Sequence, residues 1–320
     1  MKKIAVLTSG GDAPGMNAAI RAVVRAGIAA GMEVYGVRRG YEGLLNNDVF
    51  KMDLRSVSNI LERGGTFLSS ARSKRFNTIE GVKQAASNCR ALGIEGLVVI
   101  GGDGSFKGAR DLCAEGVSCI GIPGTIDNDI SCTDYTIGYD TALNTTIEIL
   151  DKVRDTMQSH NRCCVCEVMG RHRGDLALNA GLAVGACAIL VPEEEYDIDR
   201  DIVAPMKRSL ALGKKHFIIV VAENMLDVNA LSKEVEAKTG VETRSCVPGH
   251  VQRGGSPSAR DRILASEMGH YAVQLLLQGK TCRVVGIKEN HLLDYDITEA
   301  LAIPKTFNYE LLKIAREISI

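Results

Sequence analysis

The chain has no tryptophan, and its aromatic residues make up only 4% of 320. Its charges nearly cancel, because 38 basic and 39 acidic side chains leave a formal net charge of −1. Such a chain lacks the excess of basic residues typical of nucleic-acid-binding proteins. The first apolar run covers only residues 4–7, which is far too short for a signal-peptide core or a membrane span. We therefore expect a cytoplasmic protein that binds neither nucleic acid nor membrane.

Cysteine is not scarce, but its placement argues against a disulfide framework. Three of the ten cysteines, Cys163, Cys164 and Cys166, lie within one apolar run. Free cysteines in such runs behave as small hydrophobic side chains, and a chain of this length can bury a large core without cross-links. We expect buried, reduced thiols in preference to metal ligands or disulfides.

The pattern of apolar residues favours an α/β fold. Glycine is abundant, with 33 residues, which suits tight turns between strands and helices. Short apolar runs alternate with longer segments of helical periodicity, and such runs are typical of buried parallel strands. The predicted strands cover residues 4–7, 97–100, 119–122, 165–169, 189–191, 217–222 and 284–287.

Two similar segments predict phosphate-binding turns. Residues 4–15 and 97–108 each combine a strand, a Gly-Gly-Asp sequence and a helix start. The backbone N–H groups of such glycine turns can meet an anion at the carboxyl edge of a sheet. Neither turn matches the P-loop or the dinucleotide fingerprint, and a plain tight turn is the alternative for either one alone. Asp103, inside the second turn, is well placed to hold a metal that carries phosphates.

A third strand end carries two carboxylates. Asp127 and Asp129 stand two residues apart in a loop that opens with Gly124, so an extended backbone directs them to the same side. One can accept a proton while the other meets a metal. The alternative is an Asx-turn with solvated acids. The two preceding phosphate-type turns favour the functional interpretation.

Arginines are needed to offset these acids near a bound phosphate. Arg171 and Arg253 adjoin glycines, and guanidinium groups bind phosphate oxygens in a bidentate manner. Arg21 and Arg25 stand four residues apart on one helix face, where an anion between them would relieve their repulsion. A solvated basic face explains that pair equally well.

Taken together, the motifs resemble those of the bacterial ATP-dependent 6-phosphofructokinases. The segments that carry the resemblance occur in family order over essentially the whole chain: TSGGDAPGMNAAIR, GGTFLSSAR, VVIGGDGS, GIPGTIDNDI, DYTIGYDTA, EVMGR, GKKH and HVQRGGSP. A single Gly-Gly-Asp-Gly run would be weak support, since lipid kinases and NAD kinases share something similar. The resemblance implies transfer of the ATP γ-phosphoryl group to the 1-hydroxyl of fructose 6-phosphate, a step of glycolysis that gives fructose 1,6-bisphosphate and ADP.

The resemblance also implies the role of individual residues. Asp127 would accept the hydroxyl proton, Thr125 and Arg171 would steady the transferring group, and Asp103 with Asp129 would hold Mg²⁺. The residues expected to bind ATP are Gly11, Tyr41, Arg72, Ser73, Gly102, Asp103, Gly104, Ser105 and Gly108. Those expected to bind fructose 6-phosphate are Thr125, Asp127, Arg162, Met169, Gly170, Arg171, Glu223, Arg244, His250 and Arg253. Arg162 and Arg244 would reach the 6-phosphate from a neighbouring subunit of a homotetramer.

The domain organisation implied by the resemblance is two Rossmann-like, three-layer α/β/α domains with mostly parallel sheets and the active site in the cleft between them. The ATP-binding domain would comprise residues 1–138 and about 252–303. The fructose 6-phosphate-binding domain would comprise residues 139–251 and about 304–320.

Glycines bear on the choice of phosphoryl donor. Pyrophosphate-using relatives carry Asp where this chain has Gly104 and Lys where it has Gly124, and these side chains fill the space of the nucleotide α-phosphate. The two glycines leave that space open, so ATP is the expected donor. The alternatives are a pyrophosphate-dependent or other sugar-phosphate kinase of the same fold, and a catalytically silent nucleotide sensor. A catalytically silent sensor would be expected to have lost Asp103 or Asp127, and this chain retains both.

The effector pocket of the resembled family, which lies between subunits, binds ADP or GDP as activator and phosphoenolpyruvate as inhibitor. Its lining would here be Arg21, Arg25, Arg154, Gly185, Lys214 and Lys215. Three positions depart from the family: Leu54 and Leu212 replace cations, and Cys187 replaces an acid. Weak or altered allostery is therefore expected. Smaller departures are the segment Ser73-Lys74-Arg75, which makes the ATP rim more basic, and Pro248, which stiffens the substrate loop.

Overall fold

The computed structural model describes residues 1–319 and divides the chain into two compact units. The first unit combines Met1–Thr141 with Arg253–Lys305, and the second combines Ala142–Gln252 with the segment that begins at Thr306. Each unit is built on a sheet of its own. The assignment of one unit to ATP and of the other to the sugar phosphate, with the boundaries near residues 138, 251 and 303, stays a prediction.

Strands and helices alternate along most of the chain. The strands are β1 (Lys3–Ser9), β2 (Glu33–Val37), β3 (Val49–Met52), β4 (Gly96–Gly101), β5 (Ser118–Pro123), β6 (Cys163–Val168), β7 (Ala188–Leu190), β8 (Phe217–Ala222), β9 (Thr243–Cys246), β10 (Arg283–Lys288) and β11 (His291–Asp296). The helices are α1 (Met16–Ala29), α2 (Gly40–Leu45), α3 (Ile79–Ala91), α4 (Asp103–Ala114), α5 (Tyr139–His160), α6 (Asp175–Ala183), α7 (Ala204–Ala211), α8 (Val228–Thr239), α9 (Ala259–Leu277), α10 (Ile297–Ala302) and α11 (Tyr309–Glu317). A π-helical turn, Asp199–Val203, precedes α7, and a 3₁₀ turn, Gly249–Arg253, precedes α9.

The sheet of the first unit has seven strands in the order β11-β10-β5-β4-β1-β2-β3. The five inner strands are parallel, and the edge strands β3 and β11 are antiparallel to their neighbours. Helices α1 and α9 pack together on one face, while α2, α3, α4 and α10 pack against one another on the other. Because both faces are covered, the inner strands are apolar on both sides, and β1 and β4 are almost wholly buried.

The sheet of the second unit has four parallel strands in the order β7-β8-β6-β9. Helix α6 packs on β7 and β8, and α8 packs on β6 and β9. The core includes Val165, Ile219 and Val221 from the strands and Leu231 and Val235 from α8.

The predicted α/β class with mostly parallel sheets is confirmed. All seven predicted apolar runs overlap strands, although Met169 and Val191 lie one residue beyond the ends of β6 and β7. The prediction missed β2, β3, β9 and β11. These strands lie at or next to sheet edges, carry polar residues and lack a continuous apolar run. Among the helices of residues 1–319, none is long and apolar enough to cross a membrane.

The expectation of uniformly reduced thiols is wrong for two cysteines. Cys113, near the end of α4, and Cys282, just before β10, form a disulfide. The two residues are 169 positions apart in the chain, and they meet because α4 packs on β5 while β10 pairs with β5. The other eight cysteines are free in the described chain; seven are buried and Cys246 is half-buried.

A buried carboxylate stabilises the start of α5. Asp261, on α9, is 1% exposed and accepts hydrogen bonds from the backbone N–H groups of Gly138, at 2.9 Å, and Thr141, at 2.8 Å. The hydroxyl of Thr141 also donates to it. Burial raises the pKa of the Asp261 carboxyl because the charged form loses its water.

We predict that Asp261→Ala lowers the free energy of unfolding by about 2–4 kcal/mol, because two buried N–H groups lose their acceptor. A matched control is Asp296→Ala, which removes the half-buried N-cap of α10 and should cost about 1 kcal/mol. Urea denaturation of both variants measures the difference. Equal costs for the two substitutions would contradict the role assigned to Asp261.

Candidate active site

Three loops of the first unit leave one edge of the sheet at the same level. Strands β1, β4 and β5 are neighbours, and Ser9, Gly101 and Pro123 stand in register across them. The segments that follow these three residues are the two Gly-Gly-Asp turns and the loop 124–129. Ligands of open α/β sheets bind at this carboxyl edge, so the register gathers the three predicted motifs at one place.

The glycine turns need residues without side chains. Gly10 has φ of 88°, a left-handed value that other residues adopt only at a cost. A Cβ on Gly11 would lie 2.9 Å from Nη1 of Arg253. Ser105 is buried, and its hydroxyl donates to the backbone carbonyl of Ser9 at 3.0 Å, which ties the second turn to the first.

Tyr41 and Phe76 form a wall behind the second turn. Their rings stack 4.0 Å apart and nearly parallel, and the hydroxyl of Tyr41 donates to the carbonyl of Ser105 at 2.5 Å. Burial raises the pKa of Tyr41. A Cβ on Gly108 would lie 2.8 Å from both rings, so this glycine permits the packing.

Two other predicted ATP residues lie on the segment that leads to Phe76. Arg72 is exposed, whereas the hydroxyl of Ser73 donates to Glu42 at 2.5 Å and accepts from the N–H of Phe76. The bond from Ser73 is the main cause that lowers the pKa of Glu42. Ser73 therefore supports the loop through Glu42, a residue that the sequence analysis did not select.

The loop with the two predicted acids is held by Asn128. Asp127 is 5% exposed and Thr125 is 8% exposed, and the N–H of Asp127 donates to the Thr125 hydroxyl at 3.2 Å. Asn128 has φ of 48°, and its side-chain oxygen accepts from the N–H of Thr136 at 3.0 Å. Lys305 donates to the carbonyl of Asn128. Asn128 stood inside the predicted motif, but its positioning contacts depend on residues up to 177 positions away.

Arg253 contacts two of the three loops. Its Nη1 donates to the carbonyl of Asp12 at 3.2 Å, and its Nη2 lies 3.9 Å from Oδ1 of Asp127. One guanidinium group thus links the first glycine turn to the predicted base. The expected contact of Arg253 with the 6-phosphate of the sugar stays a prediction.

The acids predicted to hold a metal lie on separate loops. Asp103 is the first residue of α4 and pairs with Lys107 at 2.6 Å, while Asp129 is half-buried on the loop after β5. Residues 1–319 contain no group of three or more His, Cys, Asp or Glu side chains that could hold a metal ion. Mg²⁺ is commonly held by one or two carboxylates together with substrate phosphates, so this set of oxygen donors fits Mg²⁺ bound with a nucleotide.

Strand ends of the second unit present the predicted sugar residues. Val168 of β6 and Ala222 of β8 are in register, so residues 169–171 and Glu223 leave the same edge. Oε1 of Glu223 accepts from the N–H groups of Gly170, at 3.1 Å, and Arg171. Gly170 has φ of 155° and Arg171 has φ of 61°, so the carboxylate holds a turn of unusual backbone conformation.

Gln252 is a positioning residue that the sequence analysis missed. It is 1% exposed, and its Oε1 accepts from the N–H of Met169 at 3.1 Å while its Nε2 donates to the carbonyl of Gly249 at 3.2 Å. It therefore joins the 169–171 turn to the 3₁₀ turn that carries the exposed His250. The only signal in the sequence was its place between His250 and Arg253 in HVQRGG.

The two arginines predicted to act on a neighbouring subunit share one carboxylate. Nε of Arg162 lies 2.8 Å from Oε2 of Glu242, and Arg244 pairs with Oε1 of the same residue. The contact with Arg162 is the main cause that lowers the pKa of Glu242. The structure brings Arg162 and Arg244 together through an acid that the sequence analysis did not select.

A cavity of 590 Å³ opens beside the turn of residues 169–171 in the second unit. Arg171, His172 and Glu223 line one part of it, and residues 192–196 line another. Its volume suits a small-molecule ligand. Three consecutive glutamates in that segment make the lining acidic, although Arg173 pairs with Glu193 and Arg316 pairs with Glu194.

The predicted effector residues are divided between the units. Arg21 and Arg25 lie on α1 in the first unit, and the other four lie in the second. There, Arg154 donates to the carbonyl of Val184, beside Gly185, and Lys214 donates to the carbonyl of Ser319. Leu212 is 75% exposed and Cys187 is buried.

Comparison with known proteins decides the family. The family model described as Phosphofructokinase matches residues 3–276. The chain belongs to the phosphofructokinase family. Curated relatives include the ATP-dependent 6-phosphofructokinase of Clostridium tetani (strain Massachusetts / E88), which is 57% identical over 319 residues, and that of Bacillus subtilis (strain 168), which is 55% identical over 320 residues. Each match covers 100% of both chains.

Solved structures of phosphofructokinases share the fold. The phosphofructokinase of Saccharomyces cerevisiae superposes with a TM-score of 0.88 at 39% identity, over 100% of this chain and 48% of the yeast chain, so this chain spans about half the length of the yeast relative. A pyrophosphate-dependent phosphofructokinase of Marinobacter aquaeolei superposes with a TM-score of 0.86 at 21% identity, over 98% of this chain and 91% of that one. At that identity the likeness concerns the fold alone.

We predict that Glu223→Ala accelerates amide hydrogen exchange at Gly170 and Arg171 by at least about tenfold, because both N–H groups lose their acceptor. Glu223→Gln keeps an acceptor oxygen and should give a smaller change. Exchange at Val165, inside β6, is the internal reference. Unchanged exchange at both residues in the alanine variant would show that Glu223 does not hold this turn.

Proposed function

We propose that this phosphofructokinase is an ATP-dependent 6-phosphofructokinase, which transfers the γ-phosphoryl group of ATP to the 1-hydroxyl of fructose 6-phosphate. The observation that carries the proposal is the register of Ser9, Gly101 and Pro123, which sets two glycine turns and the Asp127 loop at one sheet edge. Relatives with the same length and more than half of their residues identical are named for this activity. We propose that the enzyme acts in glycolysis in the cytoplasm, where its substrates would be found.

ATP would bind to the first unit, so this unit serves as the nucleotide domain. The N–H groups of Gly11, Gly102 and Gly104, in the two glycine turns, would bind phosphate oxygens. Ser105, whose own N–H donates to the carbonyl of Gly102, would line the same turn. Gly108 leaves room for the stacked Tyr41 and Phe76 beside the second turn. Arg72, which is exposed, would approach the nucleotide from the rim.

Asp103 and Asp129 would hold Mg²⁺ with the nucleotide phosphates. The ion would neutralise charge on the phosphate oxygens, a contribution typical of kinases. Both residues supply the carboxylate oxygens that Mg²⁺ prefers, and both leave adjacent parallel strands at the same edge.

The sugar phosphate would bind chiefly to the second unit. Met169 and Gly170, held by Gln252 and Glu223, form a turn whose N–H groups and side chains can contact the sugar. His250 and Arg253 would bind the 6-phosphate, because both follow Pro248 in one short turn and carry nitrogen donors. Glu223 accepts hydrogen bonds from two N–H groups. Its carboxylate can accept further hydrogen bonds, and one of these would come from a sugar hydroxyl.

Asp127 would act as the base that accepts the proton of the 1-hydroxyl. Phosphoryl transfer passes through a loose transition state, so the protein mainly positions reactants and neutralises charge. Asp127 is buried, and its N–H is held by Thr125. Nη2 of Arg253 lies 3.9 Å from Oδ1 of Asp127. Arg171 and Thr125 would stabilise the charge of the transferring group.

A neighbouring subunit would complete each active site. Arg162 and Arg244 are bound to Glu242 and not to residues of the predicted sugar site in the described chain. We propose that they serve the 6-phosphate of another subunit in a homotetramer. Their shared acid keeps the two guanidinium groups together, which suits a bidentate contact with one phosphate.

Effectors would bind at the basic residues Arg21, Arg25, Arg154, Lys214 and Lys215, with Gly185 beside them. ADP, GDP and phosphoenolpyruvate are the proposed ligands. Exposed Leu54 and Leu212 add no positive charge to this region, and buried Cys187 adds no acid. We therefore propose a weaker or altered response to these ligands.

We predict that Asp127→Ser lowers kcat by about 10²–10⁴-fold, because transfer then proceeds without its base. Binding of fructose 6-phosphate, measured by equilibrium titration, should change little. Asp48→Ser, at an exposed residue paired with Arg38, is the control and should leave kcat unchanged. Comparable turnover of Asp127→Ser and the parent enzyme would rule out the proposed base.

We predict that Gly104→Asp folds normally but raises the KM for ATP by at least about tenfold, because a carboxylate would repel the phosphates. A Cβ at Gly104 meets no heavy atom of the described chain within 4 Å, so the substitution itself causes no strain. Gly104→Asn matches it in size without the charge and should have a smaller effect. Steady-state assays with ATP and with pyrophosphate test this. A parent enzyme that prefers pyrophosphate would overturn the assignment of the donor.

A further inference from the structure

Three thiols lie together on one side of the sheet in the second unit. Cys166 and Cys246 are register partners on the neighbouring parallel strands β6 and β9. The Cys166 thiol also lies 3.5 Å from Sγ of Cys164. Neighbouring strands are about 4.8 Å apart, a separation within the range of roughly 4.4–6.8 Å between the Cα atoms of disulfide-bonded residues. A bond between Cys166 and Cys246 therefore needs little movement of the main chain.

The two register partners differ in access and acidity. Among the free cysteines of residues 1–319, Cys246 alone is not buried. The contact with the Cys166 thiol lowers the pKa of Cys246. The contact with Cys164, together with the contact with Cys246 and burial, raises the pKa of Cys166. The thiolate is the reactive form of cysteine. The accessible thiol is thus also the more nucleophilic one, and a second thiol faces it.

We propose that Cys246 and Cys166 form a reversible oxidation site that reacts with hydrogen peroxide. The Cys246 thiolate attacks one peroxide oxygen, the O–O bond breaks, and the leaving hydroxide takes up a proton to form water. Sγ of Cys166 then attacks the sulfenic sulfur of Cys246. The S–S bond forms as the S–O bond breaks, and a second water leaves with the proton of Cys166. Two thiols are oxidised by two electrons in total, and the peroxide is reduced to two waters.

The disulfide would lie at the base of two loops with proposed substrate contacts. Cys166 precedes Met169 by three residues, and Cys246 precedes His250 by four. A cross-link would pin the ends of β6 and β9 and shift both loops. Since small displacements of binding groups are costly, the KM for fructose 6-phosphate should rise by roughly three- to tenfold, with the KM for ATP unchanged. This functional effect rests on the proposed function; formation of the bond does not.

The bond can be detected directly in the unmodified full-length protein. After treatment with stoichiometric hydrogen peroxide and blocking of free thiols, trypsin releases peptides 163–171 and 245–253, since each is bounded by arginines. We expect a disulfide-linked pair of these peptides, which dithiothreitol separates. Peptides that stay separate, with Cys246 either unmodified or oxidised to sulfinic acid, would overturn the proposal.

Variants identify the partner of Cys246 and provide the controls. The linked pair should persist in Cys164→Ala and disappear in Cys166→Ala and in Cys246→Ser. Cys187→Ala, which removes a buried thiol outside the cluster, is the matched control and should behave as the parent protein. A link to Cys164, or one that survives in Cys166→Ala, would overturn the assignment. The linked peptides are also measured in the unmodified protein, so the proposal can be tested even if one variant fails to fold.

Kinetic assays then measure the effect on the substrate. The rise in KM for fructose 6-phosphate should follow the fraction of linked peptide, reverse with dithiothreitol and be absent in Cys246→Ser. A linked protein with an unchanged KM would contradict the proposed effect on the sugar loops but leave the bond intact. A reduced parent protein without kinase activity would instead count against the proposed function.

Discussion

The first unit depends on the parallel register of β1, β4 and β5. Parallel pairing sets the ends of all three strands at one edge, where Ser9, Gly101 and Pro123 are in line. Everything proposed for phosphoryl transfer in this unit follows from that alignment, since the glycine turns and the two acids start from these residues. A shift of one strand would separate the turn that carries Asp103 from the loop that carries Asp127.

The concentration of acids at this edge requires compensating cations and tight backbone turns. Arg253 lies between the first glycine turn and Asp127, and Lys107 pairs with Asp103. A Cβ on Gly11 would lie 2.9 Å from Nη1 of Arg253, so a side chain there would displace the guanidinium. The edge therefore combines negative side chains with positive groups, which is the arrangement that a crowded phosphate transition state needs.

The second unit uses carboxylates differently. Glu223 holds the N–H groups of a turn, and Glu242 holds two arginines. Both act by fixing groups that carry positive charge or donate hydrogen bonds. If the arginines serve another subunit, Glu242 would reduce the cost of keeping two like charges together in the absence of substrate.

The sequence by itself determined the class of fold, the inner strands and the family motifs, because apolar runs, glycine turns and the Asp127 loop are local patterns that act within a few residues. The tertiary structure decided which side chains support those motifs. Asn128 and Gln252 hold their turns through contacts with residues distant in the chain, and Cys113 pairs with Cys282 only because α4 and β10 both adjoin β5. Edge strands such as β11 also escaped prediction, because pairing with a neighbour stabilises them in place of an apolar run of their own. Such contacts depend on how distant segments pack, and no local spacing encodes them.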